Sequence, residues 1–151
     1  KKFVDDRDLE ALVAEEMRAV AVDEHFVLDQ IQVSCGEPGI PTASVKLRTA
    51  DGETLLEAAA GDGPVDAVYK AITAAVKVQN DLKEFSVKSI TETTEAQGEV
   101  TIRIQVEGRT YTGRGVSTDI IVASAKAYLN AINRKLADQA DRQVVSLSGT
   151  P

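Results

Sequence analysis

The sequence predicts an α+β fold of two βββα units, forming antiparallel sheet with helices on one side, plus an N-terminal linker helix. Two observations predict this class. After about residue 25, the same order of hydrophobic patterns occurs twice along the chain, which indicates an internal repeat. Within each copy, stretches that alternate apolar and polar residues precede a segment with helical spacing. The 151 residues are 43% hydrophobic and 27% charged, values typical of one ordinary globular domain with a core.

Two helix starts set the period of the repeat. Pro64 suits the first position of a helix, where its missing N–H costs nothing, so Gly63 is predicted as the N-cap. Asp119 is a favourable N-cap in the second copy, 119 − 63 = 56 positions later. Beyond each start, an apolar stripe has the spacing of a buried helical face. The stripes are Val65, Tyr69, Ile72 and Val76 in the first copy, and Ile121, Ala125, Tyr128 and Ile132 in the second.

Three strands are predicted before each helix. The central strand of each copy alternates apolar and polar side chains, which is typical of a half-buried strand. A turn signal follows it, Asp51-Gly52 in the first copy and Glu107-Gly108 in the second, so the next strand completes a hairpin. The strands are predicted near residues 26–34, 43–48 and 53–58, and near residues 85–91, 100–106 and 109–113.

The repeat defines three parts of the chain. The first part is a linker subdomain remnant with an amphipathic helix, whose apolar residues recur at helical spacing. The second part is the globular domain made of the two units, and the last part is polar and is expected to fray. Their predicted bounds are 1–25 for the linker with its helix over 5–22, 26–136 for the domain with units 26–80 and 84–136, and 137–151 for the polar tail.

Charge and composition argue against several classes of partner. The 17 basic and 24 acidic residues leave a net charge of −7, so the chain lacks the positive field that attracts proteins to nucleic acid. Cys35 and His25 are the single residues of their types, so neither a disulfide nor a metal cluster is predicted, and a reducing cytoplasm is expected. No apolar run approaches the roughly 18 residues of a membrane span. We therefore expect a cytoplasmic protein with no nucleic-acid or membrane partner.

The run Gly61-Asp62-Gly63 before the first helix is the main candidate binding motif. Glycines at the positive end of a helix dipole let an anionic ligand approach backbone N–H groups. As a dinucleotide fingerprint the motif is incomplete, because Asp66 fills the last glycine position. A tight strand-to-helix turn is the structural alternative. The duplicated helix start favours a third interpretation, in which N–H groups bind a carboxylate and acids such as Asp62 and Asp119 bind an ammonium, as a zwitterionic amino acid requires.

The other reactive residue types form no catalytic constellation. His25 and Cys35 are isolated and are interpreted as structural. Ser117 lies outside a G-x-S-x-G nucleophile elbow, and the tyrosines of the helix stripes are placed in the core. A free-standing enzyme is therefore disfavoured. The acidic residues near the second hairpin are interpreted as a solvated face, and they are Glu92, Glu95 and Glu99.

Three segments, found in order along the chain, closely resemble the regulatory domain of the 2-isopropylmalate synthase family. They are AGDGPVDAVYKAI at 60–72, SITETTEAQGEV at 89–100 and GRGVSTDIIVASAKAYLNAINR at 113–134. The resemblance covers about residues 26–134, and residues 1–22 are similar to the linker subdomain that precedes that domain. Three separated motifs in one order make the resemblance specific.

The resemblance implies that residues 26–136 are an allosteric domain that forms a homodimer and binds L-leucine at or near the interface. Leucine would inhibit the condensation of acetyl-CoA with 2-oxoisovalerate in the catalytic barrel of the same protein. The divalent metal and acetyl-CoA belong to that barrel, so this fragment is expected to have no cofactor and no activity of its own. By position, the leucine-binding residues are Gly61, Asp62, Gly63, Pro64, Val65, Ile90, Thr91, Glu92, Ala96, Asp119 and Ile120.

Two other functions remain open at this point. The regulatory domain of citramalate synthase has the same fold and binds isoleucine, and pockets separate ligands that differ by one methyl group by only about 1–3 kcal/mol. The residues of the third motif favour the 2-isopropylmalate synthase family over citramalate synthase. The other alternative is a purely structural dimerisation domain, in which the glycines serve turns and no ligand binds.

Overall fold

The computed structural model describes residues 25–36, 39–90 and 97–148 and confirms the α+β class. Within these residues, each unit forms a three-stranded antiparallel sheet of its own, followed by one helix. The first unit contains β1 (Phe26–Ser34), β2 (Thr42–Thr49), β3 (Thr54–Ala60) and α1 (Pro64–Val76). The second unit contains β4 (Asp81–Ile90), β5 (Gln97–Val106), β6 (Arg109–Ser117) and α2 (Ile120–Ser148). The predicted helix over residues 5–22 lies outside the described residues.

The sheets follow the predicted alternation. The strand order is β1-β2-β3 in one sheet and β4-β5-β6 in the other, so β2 and β5 are the central strands. Alternate residues of these strands are buried because they face the helices, whereas their neighbours face outward. The buried residues are Ala43, Val45 and Leu47 of β2, and Val100, Ile102, Ile104 and Val106 of β5.

The helices join the two sheets into one core. Helix α1 packs on β1, β2 and β3, while α2 packs on β5 and β6 and also reaches β1 of the first unit. The buried amide of Asn133 in α2 contacts Phe26 in β1 twice: Asn133 Oδ1 accepts the Phe26 N–H at 3.0 Å, and Asn133 Nδ2 donates to the Phe26 carbonyl at 3.0 Å. The buried apolar residues of both units form a single cluster.

Strand β6 is longer than predicted because its glycines pair as strand residues. Gly113 lies opposite Ile102 and Gly115 lies opposite Val100, so the ladder continues to Ser117 instead of ending at residue 113. Both glycines face α2. A Cβ atom at Gly113 would lie 2.5 Å from the Ala131 nitrogen, and one at Gly115 would lie 2.6 Å from the Ala127 nitrogen. The absence of side chains therefore allows the α2 backbone to lie directly on β6.

The end of α2 differs from the prediction. A polar tail was expected from residue 137, but the helix continues to Ser148, so the predicted helix end at residue 136 is wrong. Asp138 explains the continuation: its carboxylate accepts a hydrogen bond from the Tyr111 hydroxyl at 2.6 Å and contacts Arg142 one helical turn later at 3.1 Å. Arg109 of β6 also lies 3.7 Å from this carboxylate. The polar composition therefore reflects a helix face held to β6 through polar contacts.

Candidate functional site

The first helix start follows directly from the end of β3. The N–H of Gly61 donates to the Pro41 carbonyl at 2.9 Å, which fixes the chain as it leaves the sheet. A Cβ atom at Gly61 would lie 2.8 Å from both the Ala67 Cα and the Asp66 Oδ2 atoms. Helix α1 therefore crosses close over Gly61, and this glycine has a packing role, as the turn interpretation predicts.

Gly63 is the N-cap of α1, as predicted, and its surroundings are more open than those of Gly61. Its backbone is extended, with φ −156° and ψ 174°, and its carbonyl accepts the Ala67 N–H at 2.9 Å. Among the residues that the structure describes, no side chain caps this helix start, and no atom lies within 4 Å of the position that a Cβ atom at Gly63 would take. Pro64 follows and has no N–H, so the first-turn donors are those of Val65 and Asp66. Space at Gly63 leaves these donors accessible to an anion.

Asp66 fixes the geometry on one side of this start. The Asp62 N–H donates to Asp66 Oδ2 at 2.9 Å, and the Lys70 ammonium lies 3.1 Å from the same oxygen. The Asp62 backbone hydrogen bond, followed by the hydrogen bond from Lys70, lowers the pKa of the Asp66 carboxyl below its ordinary value. Asp66 is therefore a charged first-turn residue that binds the Asp62 backbone and Lys70 and caps none of the first-turn N–H groups, while the Asp62 side chain is exposed.

The second helix start has the same backbone function with a different cap. Asp119 is the predicted N-cap, since its carbonyl accepts the Ala123 N–H at 2.9 Å and its Oδ1 accepts the Ile121 N–H at 2.8 Å. The Asp119 N–H in turn donates to Ser117 Oγ at 3.1 Å. This start is thus capped by its own carboxylate, whereas the first start has no side-chain cap.

The structure places three of the predicted residues of the second unit, Ile90, Asp119 and Ile120, at one end of its sheet. Ser89, Gly98 and Ser117 lie opposite one another across the three strands, which places Ile90 and Asp119 at the same end of the sheet. Ile120 is exposed, and its Cδ1 atom lies 3.0 Å from the position of a Cβ at Gly98. Thr91, Glu92 and Ala96 lie outside the described residues, so their assignment stays a prediction.

The predicted residues of the first unit form a separate set. Within the described residues, no hydrogen bond or ion pair joins Gly61, Asp62 or Val65 to the set around Asp119. Each set lies where the third strand of its own unit leads into a helix. The structure therefore shows one candidate position at the helix start of each unit.

A groove of about 630 Å³ beside α1 was missed by the sequence analysis. Its wall contains a hydrogen-bonded chain in which the Tyr128 hydroxyl donates to Asn80 Oδ1 at 2.7 Å. Because the single Tyr128 proton is used there, the Thr73 hydroxyl is the donor in its 2.7 Å contact with Tyr128. Both tyrosines are buried, as predicted, and burial raises their pKa values. The remaining lining residues are Asp66, Tyr69, Lys70, Ala74, Lys77, Gln79 and Leu82.

The Tyr69 hydroxyl differs from that of Tyr128. The Tyr69 ring packs against the Tyr128 ring with centroids 4.8 Å apart, so the two side chains share the same environment. The Tyr69 hydroxyl is buried and has no hydrogen-bond partner among the described residues. Apolar spacing predicted both rings in the core, but no sequence signal distinguished the satisfied hydroxyl from the unsatisfied one.

The other chemical features are limited. Cys35 is a free, exposed thiol, and the described residues contain no group of three or more His, Cys, Asp or Glu side chains able to hold a metal ion. No helix in the described ranges is both long enough and apolar enough to cross a membrane.

Comparisons with known proteins show which family the chain resembles. A family model described as the LeuA allosteric (dimerisation) domain matches residues 3–136. The 2-isopropylmalate synthase of Gloeobacter violaceus is 54% identical over 134 residues, which cover 89% of this chain and 24% of that protein. The 2-isopropylmalate synthase of Trichodesmium erythraeum is 56% identical over 137 residues, covering 91% and 25%. The chain thus spans about a quarter of the length of the curated relatives it matches.

Proposed function

The chain belongs to the LeuA allosteric (dimerisation) domain family, and from this premise we propose that it binds L-leucine and mediates feedback inhibition of a 2-isopropylmalate synthase. The condensation of acetyl-CoA with 2-oxoisovalerate takes place, in this proposal, in a catalytic barrel that the chain does not contain. The described residues offer no donor set for the divalent metal of that barrel. We propose that the divalent metal and acetyl-CoA are bound by that barrel.

The uncapped start of α1 is the observation that carries the proposal. A free amino acid presents a carboxylate, and the open N–H groups of Val65 and Asp66 lie at the positive end of a 13-residue helix. Gly63 leaves space for that carboxylate, and the exposed side chain of Asp62 provides a negative charge for the ammonium beside it. Both charged groups of a zwitterion can thus be bound by one short motif.

The second helix start provides complementary chemistry. Asp119 uses one carboxylate oxygen for its own cap and is exposed, so its second oxygen can accept a hydrogen bond from an ammonium group. The exposed Ile120 side chain, together with Ile90 at the end of β4, offers apolar surface for a branched side chain. We propose that the two helix starts meet across the homodimer interface, where Asp119 shares the ligand's ammonium with Asp62 and the two isoleucines contact its side chain.

Isothermal titration with L-leucine tests the proposal on the 151-residue chain, and Gly63→Asp is the informative variant. Asp at this N-cap places a carboxylate where the ligand's carboxylate binds, so affinity is expected to fall by roughly 100-fold, about 3 kcal/mol. Folding is expected to be retained, because Asp is a favourable N-cap and the extended backbone at Gly63 suits any residue.

Gly36→Asp is the matched control. It adds the same charge at an exposed glycine where no atom lies within 4 Å of a Cβ position, and it is expected to bind leucine as the parent does. If Gly63→Asp folds and binds leucine with parental affinity, the pocket does not lie at the start of α1.

The same titration separates the two alternatives. Tighter binding of isoleucine than leucine would favour the regulatory domain of a citramalate synthase. Binding of none of leucine, isoleucine and valine would favour a purely structural dimerisation domain. We propose a homodimer in the cytoplasm, linked to the catalytic barrel of its own protein, as the assembly on which leucine acts.

A further inference from the structure

Strand β4 is unlike the other strands, because its core-side residues are not covered. Leu82, Phe85 and Val87 lie opposite Ile104, Ile102 and Val100 of β5, and residues paired in this way point to the same face of a sheet. The three β5 side chains are buried, yet Leu82, Phe85 and Val87 are 43%, 39% and 52% exposed. We call these three residues of β4 the β4 strip.

The helices explain the exposure of the β4 strip. In the described part of the chain, α1 packs along β1, β2 and β3, and α2 packs along β1, β5 and β6, so neither helix packs along β4. The corresponding strand of the first unit, β1, is covered by both helices, and its residues Leu28, Ile31 and Val33 pack against the core. The internal repeat therefore gives β1 a cover and leaves the equivalent face of β4 open.

The β4 strip continues into the groove beside α1. Leu82 belongs to both, and the Tyr69 ring meets the Phe85 ring edge-on, with centroids 6.4 Å apart and an interplanar angle of 75°. The Tyr69 hydroxyl, which has no hydrogen-bond partner in the described part of the chain, is buried at this junction. A buried hydroxyl normally has a partner, so the junction lacks a hydrogen-bonding group as well as apolar cover.

We propose that a second copy of this chain packs against the β4 strip and the adjoining groove. This inference rests on the homodimer of the proposed function and names the surface that forms it. The match to a dimerisation domain favours a second copy over an unrelated partner. Charge agrees: each copy carries a net charge of −7, so two copies repel overall, and the repulsion is reduced where the contact brings no like charges together. No side chain of the β4 strip is charged, and the charged residues that line the groove are of both signs, Asp66, Lys70 and Lys77.

Charge substitution tests the surface directly. Phe85→Glu and Val87→Glu are expected to weaken dimerisation at least tenfold in sedimentation experiments on the 151-residue chain. Leu56→Glu is the matched control, because Leu56 is 72% exposed on β3 and pairs with the outward-facing Lys46. This variant is expected to dimerise as the parent does. A dimer of parental strength in both β4 variants, or a parent that stays monomeric at high micromolar concentration, overturns the proposal.

Thiol accessibility gives a second measurement that does not depend on tolerance of the charge. In a Cys35→Ser background, maleimide labelling of Val87→Cys is expected to slow as chain concentration rises through the dimerisation range, whereas labelling of Leu56→Cys stays constant. Equal labelling of both at every concentration contradicts the β4 surface. If labelling is equal and the parent chain still binds leucine in the same preparation, the proposed surface is wrong and the proposed function stands.

Discussion

Substitution of Gly115 by Ala is expected to separate α2 from β6. The new Cβ atom would lie 2.6 Å from the Ala127 nitrogen and closer still to the Ala123 carbonyl oxygen, whereas ordinary contact begins near 3.4 Å, so the two backbones must move apart by at least 3.4 − 2.6 = 0.8 Å. The obstacle is helix backbone, which cannot rotate away as a side chain can. A gap of 0.5–1 Å already removes about a quarter to a half of the attraction between packed atoms.

The displacement affects the whole α2–β6 interface. Ala123, Ala127 and Ala131 form a buried stripe of small residues that packs on β6, and all three lose contact together. We therefore expect the free energy of unfolding to fall by about 3 kcal/mol or more in urea titrations followed by circular dichroism. Gly113→Ala is expected to act alike, and the double variant should cost little more than one substitution, because one movement relieves both clashes.

Gly36→Ala is the control for this prediction. Its Cβ position has no atom within 4 Å, so its stability is expected to stay within about 0.5 kcal/mol of the parent. A cost below about 1 kcal/mol for Gly115→Ala would refute the inference that the two backbones lie in direct contact.

The tyrosines give two further predictions. Tyr128→Phe removes a hydroxyl with two hydrogen-bond partners and is expected to lower the free energy of unfolding in urea by about 1–2 kcal/mol. Tyr69→Phe removes a hydroxyl with no partner among the described residues and should change this free energy by less than about 0.5 kcal/mol. A larger loss for Tyr69→Phe than for Tyr128→Phe would contradict the hydrogen bonding. Burial, and then the hydrogen bond to Asp138, raises the pKa of Tyr111 from 10.0 to about 12. Neutral Tyr111 therefore stabilises the fold fully below pH 10, and this contribution disappears as pH rises to about 12. The stability difference between the parent and Tyr111→Phe should shrink over that range, and a difference independent of pH would be inconsistent with the Tyr111–Asp138 contact.

The sequence predicted those parts of the fold that depend on local patterns. The N-caps Gly63 and Asp119 follow from residue types whose backbone preferences act within a few positions, and both were confirmed. The end of α2 was predicted wrongly because the contact that extends it joins Asp138 to Tyr111, which is distant in sequence. Local polarity carries no information about such a partner.

The sequence pattern likewise could not predict which apolar strand faces are buried. The alternation in β4 resembles that in β1, yet only β1 is covered, because coverage depends on where the helices lie. Within the candidate site, the run Gly61-Asp62-Gly63 contains two glycines, and the sequence alone could not show which one serves packing and which one leaves space for a ligand. The structure separates them, since Gly61 lies under α1 and Gly63 faces open space.

The internal repeat also strengthens the test of the binding site. Gly63 and Asp119 hold equivalent positions, and Asp119 shows the outcome of an aspartate there: its carboxylate accepts the Ile121 N–H and its carbonyl begins the helix. Gly63→Asp therefore introduces a cap that this fold already contains, and the equivalent donor is the N–H of Val65. The substituted carboxylate would use a first-turn N–H group that the ligand requires. Loss of leucine binding in a stable Gly63→Asp chain would thus be due to competition for that donor and not to a damaged helix.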